Sequence, residues 1–164
     1  MQKTTNRYWW LMPLSLLSAF LWQHWPLSPA LRAVAPDAIL LVTLHWIWRK
    51  PHAIGSGVLF LIGLFRDGVE GSALGQHALA LILTGYFVQI FHQRLRMFAV
   101  WQQSLTICLL TCFYLMTCNW LHLLHYPTNM GFSFFWPAVT TGLCWPLLHL
   151  LLNTMEQGFL RRPA

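Results

Sequence analysis

The sequence predicts an all-α integral membrane protein, about six transmembrane helices in one bundle with both termini cytoplasmic. Three observations predict it. Of 164 residues, 57% are hydrophobic and only 9% charged, against about one-quarter charged in soluble domains. The apolar residues fall in long runs broken by Pro, Gly or charge, and the basic residues sort by loop. At about 20 apolar residues per crossing, this length holds roughly six spans and no separate soluble domain. Residues 1–164 therefore read as a single membrane domain.

The approximate spans are 8–25, 37–49, 53–70, 76–92, 100–124 and 134–154. In the first, Lys3 and Arg7 precede Trp9–Leu21 as they would in a signal peptide, but Trp22 and Trp25 stand where cleavage needs small residues. An uncleaved helix is expected. The second span opens on Ala35-Pro36-Asp37, where proline suits a first helical turn and the acid faces the positive end of the helix dipole. The apolar part of the third, Ile54–Phe65, covers only about 18 Å of a core about 30 Å thick. Either that helix continues through Arg66–Glu70, or the segment is re-entrant; both shelter the charges in protein. Pro137 and Pro146 fall in the sixth, with a kink expected near Pro146.

Loops assigned alternately to two sides separate the Lys and Arg residues. Lys3, Arg7, Arg49, Lys50, Arg94, Arg96, Arg161 and Arg162 fall on one side, and only Arg32 and Arg66 on the other. The basic side is cytoplasmic by the positive-inside rule. Trp9, Trp10, Trp46, Trp48 and Trp101 would line the cytoplasmic interface, and Trp22, Trp25, Trp120 and Trp136 the opposite one, leaving Trp145 inside a span. The net charge of +6 comes with no basic stripe interleaved with aromatics, which argues against nucleic acid.

Cys108, Cys112, Cys118 and Cys144 lie in apolar runs without a CxxC pair, so buried free thiols are expected rather than disulfides. Cys118, His122 and His125 share a helical spacing, but no acid, HExxH or fourth ligand accompanies them, and neither metal nor cofactor is expected. Without a Ser-His-Asp order, a P-loop or paired carboxylates, no catalytic residue is assigned and an enzyme is disfavoured.

The stretch GLFRDGVEGSALG, Gly63–Gly75, concentrates Arg66, Asp67 and Glu70 in a chain poor in charge. If the helix continues, Gly63, Asp67, Gly71 and Gly75 recur every four residues on one face, and Arg66 and Glu70 pair on an adjoining one. Asp67 then occupies a glycine-lined groove suited to close approach of another backbone. An intramembrane acid is costly unless partnered, and is a candidate functional residue for that reason. Alternatively the stretch is a loop in which Asp67 caps amides around Gly68 or the start of the fourth helix, with Arg66 and Glu70 solvated. Asp37, Asp67 and His77 share the outer side and are placed to flank one pocket.

The stretches APDAILLVTLHWIWRKPHAIGSGVLFLIGLFRDGVEGSALGQHALALILTGY and FAVWQQSLTICLL resemble the bacterial rod shape-determining MreD family over nearly the whole chain. The resemblance rests on Pro36-Asp37, on the ordered set Gly63, Leu64, Asp67, Gly71, Leu74 and Gly75, and on Trp101-Gln102-Gln103. It implies a noncatalytic component of the inner-membrane machinery that inserts peptidoglycan along the side wall. Implied partners are MreC directly, MreB, RodA and its transpeptidase through the complex, and membrane lipids. The family fold is similar to the S component of energy-coupling vitamin transporters, six helices around an outward-facing pocket, which implies a small-molecule or lipid binder as the alternative. Pro36, Asp37, Gly63, Asp67, Gly71, Leu74, Gly75 and His77 are the expected partner- or ligand-binding residues. Arg66 and Glu70 depart from the family pattern by surrounding the aspartate with charge.

Overall fold

The computed structural model describes residues 10–51, 53–95, 97–125 and 135–160, the side chains of 125 and 156–160 excepted. Lys3, Arg7, Trp9, Arg96, Arg161, Arg162 and the His125 side chain, all used in the sequence reading, lie outside the described residues. Within them the chain forms α1 (Leu11–Gln23), α2 (Pro29–Arg32), α3 (Ala38–Arg49), α4 (Ser56–Glu70), α5 (Gln76–Leu95), α6 (Val100–His125) and α7 (Phe135–Leu160), and no strand. Apart from the single turn α2, started by a proline at its first position, each helix overlaps one of the apolar stretches named above. Two stretches, Val100–Leu124 and Phe135–Met155, are long and apolar enough to cross a membrane unaided.

The core is built around α3. Its segment AILLVTLHWIW is apolar except for Thr43 and His45, and every residue from Ile39 to Trp48 is buried, the behaviour of a helix with no solvent face. Helices α1, α5 and α7 pack against it. The hydroxyl of Thr43 is satisfied within the helix by the Ile39 carbonyl at 2.7 Å. At 12 residues α3 is about 18 Å long. Sheathed in protein, it has no lipid thickness to match.

Side-chain ties set the directions of its neighbours. Trp46 near the end of α3 donates from Nε1 to Ser15 Oγ near the start of α1 at 2.8 Å, so those two run antiparallel. Gln89 near the end of α5 donates to the Ile54 carbonyl just before α4 at 2.7 Å, so α4 and α5 are also antiparallel. The Asp37 amide donates to Thr141 Oγ1 at 2.9 Å, and His45 stacks edge-on against His149 with ring centroids 5.6 Å apart, so α3 and α7 run parallel.

Two tryptophans depart from the interface placement predicted for them. Trp46 and Trp48 were expected at the cytoplasmic interface, but they are 1% and 4% exposed. Both belong to the central helix, and Trp48 packs on Trp145 at 5.3 Å rather than facing lipid. Trp10, Trp22, Trp25, Trp101, Trp120 and Trp136 are exposed, whereas Trp145 is buried and donates to Gln103 Oε1 at 3.2 Å. Helix α7 runs unbroken through Pro146. All four cysteines are free thiols, with Cys118 buried and the other three half-buried.

Candidate functional site: a charged network joining α3, α4 and α5

Three of the chain's four acidic residues, Asp37, Asp67 and Glu70, meet in one place. Asp37 is the N-cap of α3, its backbone extended and its Oδ1 accepting the Leu40 amide at 3.0 Å. The cap satisfies an amide that the first helical turn leaves unpaired. Pro36 precedes that cap rather than occupying the first turn as expected, because the helix starts one residue after Asp37.

Arg66, in the last turn of α4, reaches back to Asp37 with Nη1 at 3.0 and 2.8 Å from the two carboxylate oxygens. Its Nε donates to Glu70 Oε1 at 2.7 Å, and its guanidinium lies 5.6 Å from the Tyr114 ring centroid. Arg66 and Asp37 side chains are 6% and 4% exposed. At such burial neither charge is tolerable alone, and each is the other's neutralising partner.

From Glu70 the network continues through His77, whose Nε2 lies 3.4 Å from Glu70 Oε2 and whose Nδ1 is 2.8 Å from Asp67 Oδ1. Asp67 Oδ1 also accepts the His77 amide and the Ser72 hydroxyl, each at 2.9 Å, while Oδ2 accepts the Gly75 amide at 2.8 Å. Asp67 is 1% exposed. One aspartate on α4 thereby holds the amides that open α5, where orphan N–H groups and the helix dipole favour an anion.

The intervening turn explains the glycines. Gly71 closes α4 in the left-handed conformation with φ 66°, and Gly75 enters α5 with φ 95°. A Cβ at either would meet nothing within 4 Å, so these glycines serve backbone shape, not close approach. This corrects the expectation of four residues on one helical face: α4 ends at Glu70, leaving only Gly63 and Asp67 on it. Of Gly63, Gly71 and Gly75, only Gly63 allows close approach: a Cβ there would collide with the Ala78 backbone of α5. The loop alternative is half met. Asp67 does cap the next helix, but Arg66 is buried, not solvated.

Asp37, Asp67 and His77 are thus brought into one network, but the links between them are Arg66 and Glu70, which the list of expected site residues omitted. Thr141, Ser72 and Tyr114 complete it, and nothing in their local sequence marks them. The signal for Arg66 and Glu70 was present: a chain with so few charges cannot leave two of them in a span without partners. Leu74 is the exception among the expected residues, 78% exposed at the tip of the turn. Beside the network lies a polar cleft of about 430 Å³ lined by Gln23, His24, Arg32, Arg66, Val69 and Glu70.

The carboxylates of Asp37 and Asp67 are engaged by internal donors, so the network acts as a brace between helix ends. Fold and site together define a helical membrane protein in which Asp37, Asp67 and Glu70 are spent on its own packing. A profile of the family described as rod shape-determining protein MreD matches residues 4–155, and the chain belongs to that family. It is 29% identical over 153 residues to the rod shape-determining protein MreD of Haemophilus influenzae, covering 91% of this chain and 92% of that one. No solved structure matches it.

Proposed function

We propose that the chain is a noncatalytic inner-membrane component of the rod-shape and cell-elongation complex, which binds MreC directly and helps to organise lateral peptidoglycan synthesis. MreB, RodA and its transpeptidase are reached through the complex. The chain crosses the membrane six times with both termini cytoplasmic; the alternating helix directions support this, as does the sheathing of the short α3 by its neighbours.

The carrying observation is that the acid network is internally satisfied and braces a turn whose one large apolar side chain, Leu74, points outward. Docking, not chemistry, is what such a turn offers. Leu74 is the contact and Pro36, Asp37, Gly63, Asp67, Gly71, Gly75 and His77 hold it in place. Leu74→Asp removes exposed apolar surface without touching the network, and it should lower MreC recovered in a pull-down from native membranes about tenfold. Undiminished recovery, with depletion of the protein leaving cells rod-shaped, overturns the proposal.

A further inference from the structure

The polar cleft carries an assignment of its own. Its lining residues come from α1, α2 and α4, and they present both signs of charge: Arg32 and Arg66 against Glu70. Arg66 commits Nε and Nη1 to Glu70 and Asp37, and its Nη2 makes none of the described bonds. Gln23 spends its carbonyl oxygen on the Ala38 amide at 3.2 Å, which leaves its NH₂ as a donor. The Arg32 side chain is exposed and makes no hydrogen bond or ion pair with the described residues. Three residues with donor capacity to spare therefore line the space. Glu70 supplies an acceptor beside them, since a carboxylate has about four lone-pair sites and, among the described residues, only Arg66 Nε, at 2.7 Å, and His77 Nε2, at 3.4 Å, approach it.

The surroundings decide what kind of molecule brings this pattern. Leu21, Trp22 and Trp25 flank the cleft residues Gln23 and His24 in the chain, Phe65 precedes Arg66, and these four and the lining residue Val69 are all exposed. In a membrane protein such a rim faces acyl chains, with tryptophan at headgroup level. Resting on the six-span placement proposed above, Arg32 and Arg66 are also the two basic residues on the side where the positive-inside rule disfavours them. Both line this one cleft.

We propose that the cleft binds the headgroup of a phosphatidylethanolamine-type lipid in the outer leaflet, its phosphodiester taken by Arg32, Arg66 Nη2 and the Gln23 amide and its primary ammonium by Glu70. The cleft, at about 430 Å³, is large enough to take such a headgroup. Phosphate recognition by guanidinium and ammonium recognition by carboxylate are both charge-assisted, and a lining that holds Arg32, Arg66 and Glu70 together suits a zwitterion, not a simple anion.

The test is native mass spectrometry of the full-length protein reconstituted in equal parts phosphatidylethanolamine, phosphatidylglycerol and phosphatidylcholine. One retained phosphatidylethanolamine per chain is expected, with about tenfold preference over the other two, the worth of one charge-assisted bond. Arg32→Ala, at an exposed position that packs on nothing essential, should leave the unfolding temperature unchanged and lower retention about tenfold. Glu70→Gln should erase the preference for a primary ammonium over choline. Equal retention of the three lipids, preference for phosphatidylglycerol, or indifference to both substitutions overturns the assignment. Displacement by soluble glycerophosphoethanolamine overturns its lipid part, showing that the cleft takes a free phosphodiester. The readout needs no MreC, so failure here leaves the Leu74 contact standing, and failure of that contact leaves the lipid standing.

Discussion

At the scale of single residues, Asp67 shows how a carboxylate becomes affordable in an apolar setting. Four donors converge on its two oxygens: the amides of Gly75 and His77, the Ser72 hydroxyl and His77 Nδ1. An asparagine is the same size but must turn an NH₂ toward one of those donors, whichever way it is flipped. Asp67→Asn should therefore destabilise the protein by about 2 kcal/mol, and Ser72→Ala, which removes one neutral donor, by about 1 kcal/mol. Denaturant unfolding in detergent measures both, and an asparagine variant as stable as the parent would show that the network is not what holds α4 to α5. That Asp67 and Arg66 needed partners was legible in the composition, because so few charges occur in the chain. Who the partners are was not legible, since Asp37 lies 29 residues from Arg66 and Thr141 lies 104 from Asp37. Only the packing of three helices brings them together.

At the scale of elements, the glycines separate into two kinds that look alike in the sequence. Gly71 and Gly75 shape the turn between α4 and α5, and Gly63 lets those same helices touch. The four-residue spacing suggested one function for all of them; the helix boundary at Glu70 divides them, and boundaries are the least legible part of a helical pattern. A methyl group at Gly63 would overlap the Ala78 backbone, which cannot swing aside as a flexible side chain does. Gly63→Ala should cost about 3 kcal/mol through overpacking, whereas Gly57→Ala, with nothing within 4 Å of its Cβ, should be neutral or slightly stabilising through helix propensity. Thermal unfolding of the two variants side by side checks the contrast. Equal midpoints would mean that α4 and α5 do not cross at Gly63.

At the scale of the whole molecule, the number and position of the long helices were legible because apolar runs and their interruptions follow directly from the bilayer's thickness. The identity of the central helix was not. A segment apolar on every face reads the same whether lipid or protein surrounds it, so Trp46 and Trp48 were assigned to an interface although α3 is enclosed by α1, α5 and α7. Enclosure also makes a short α3 compatible with a full crossing by the bundle, since the ends of a sheathed helix meet protein, not hydrocarbon. The alternating directions then place Ser28, between α1 and α2, on the face opposite Met97, between α5 and α6. Both positions are exposed, Met97 at 87%. In a background with Cys108, Cys112, Cys118 and Cys144 replaced by alanine, Ser28→Cys should react with a membrane-impermeant maleimide in cells whose inner membrane is intact. Met97→Cys should react only after that membrane is opened. The reverse pattern would invert the protein and put Arg32 and Arg66 in the cytoplasm, and labelling of both positions from outside would mean an even number of crossings between them rather than the three made by α3, α4 and α5.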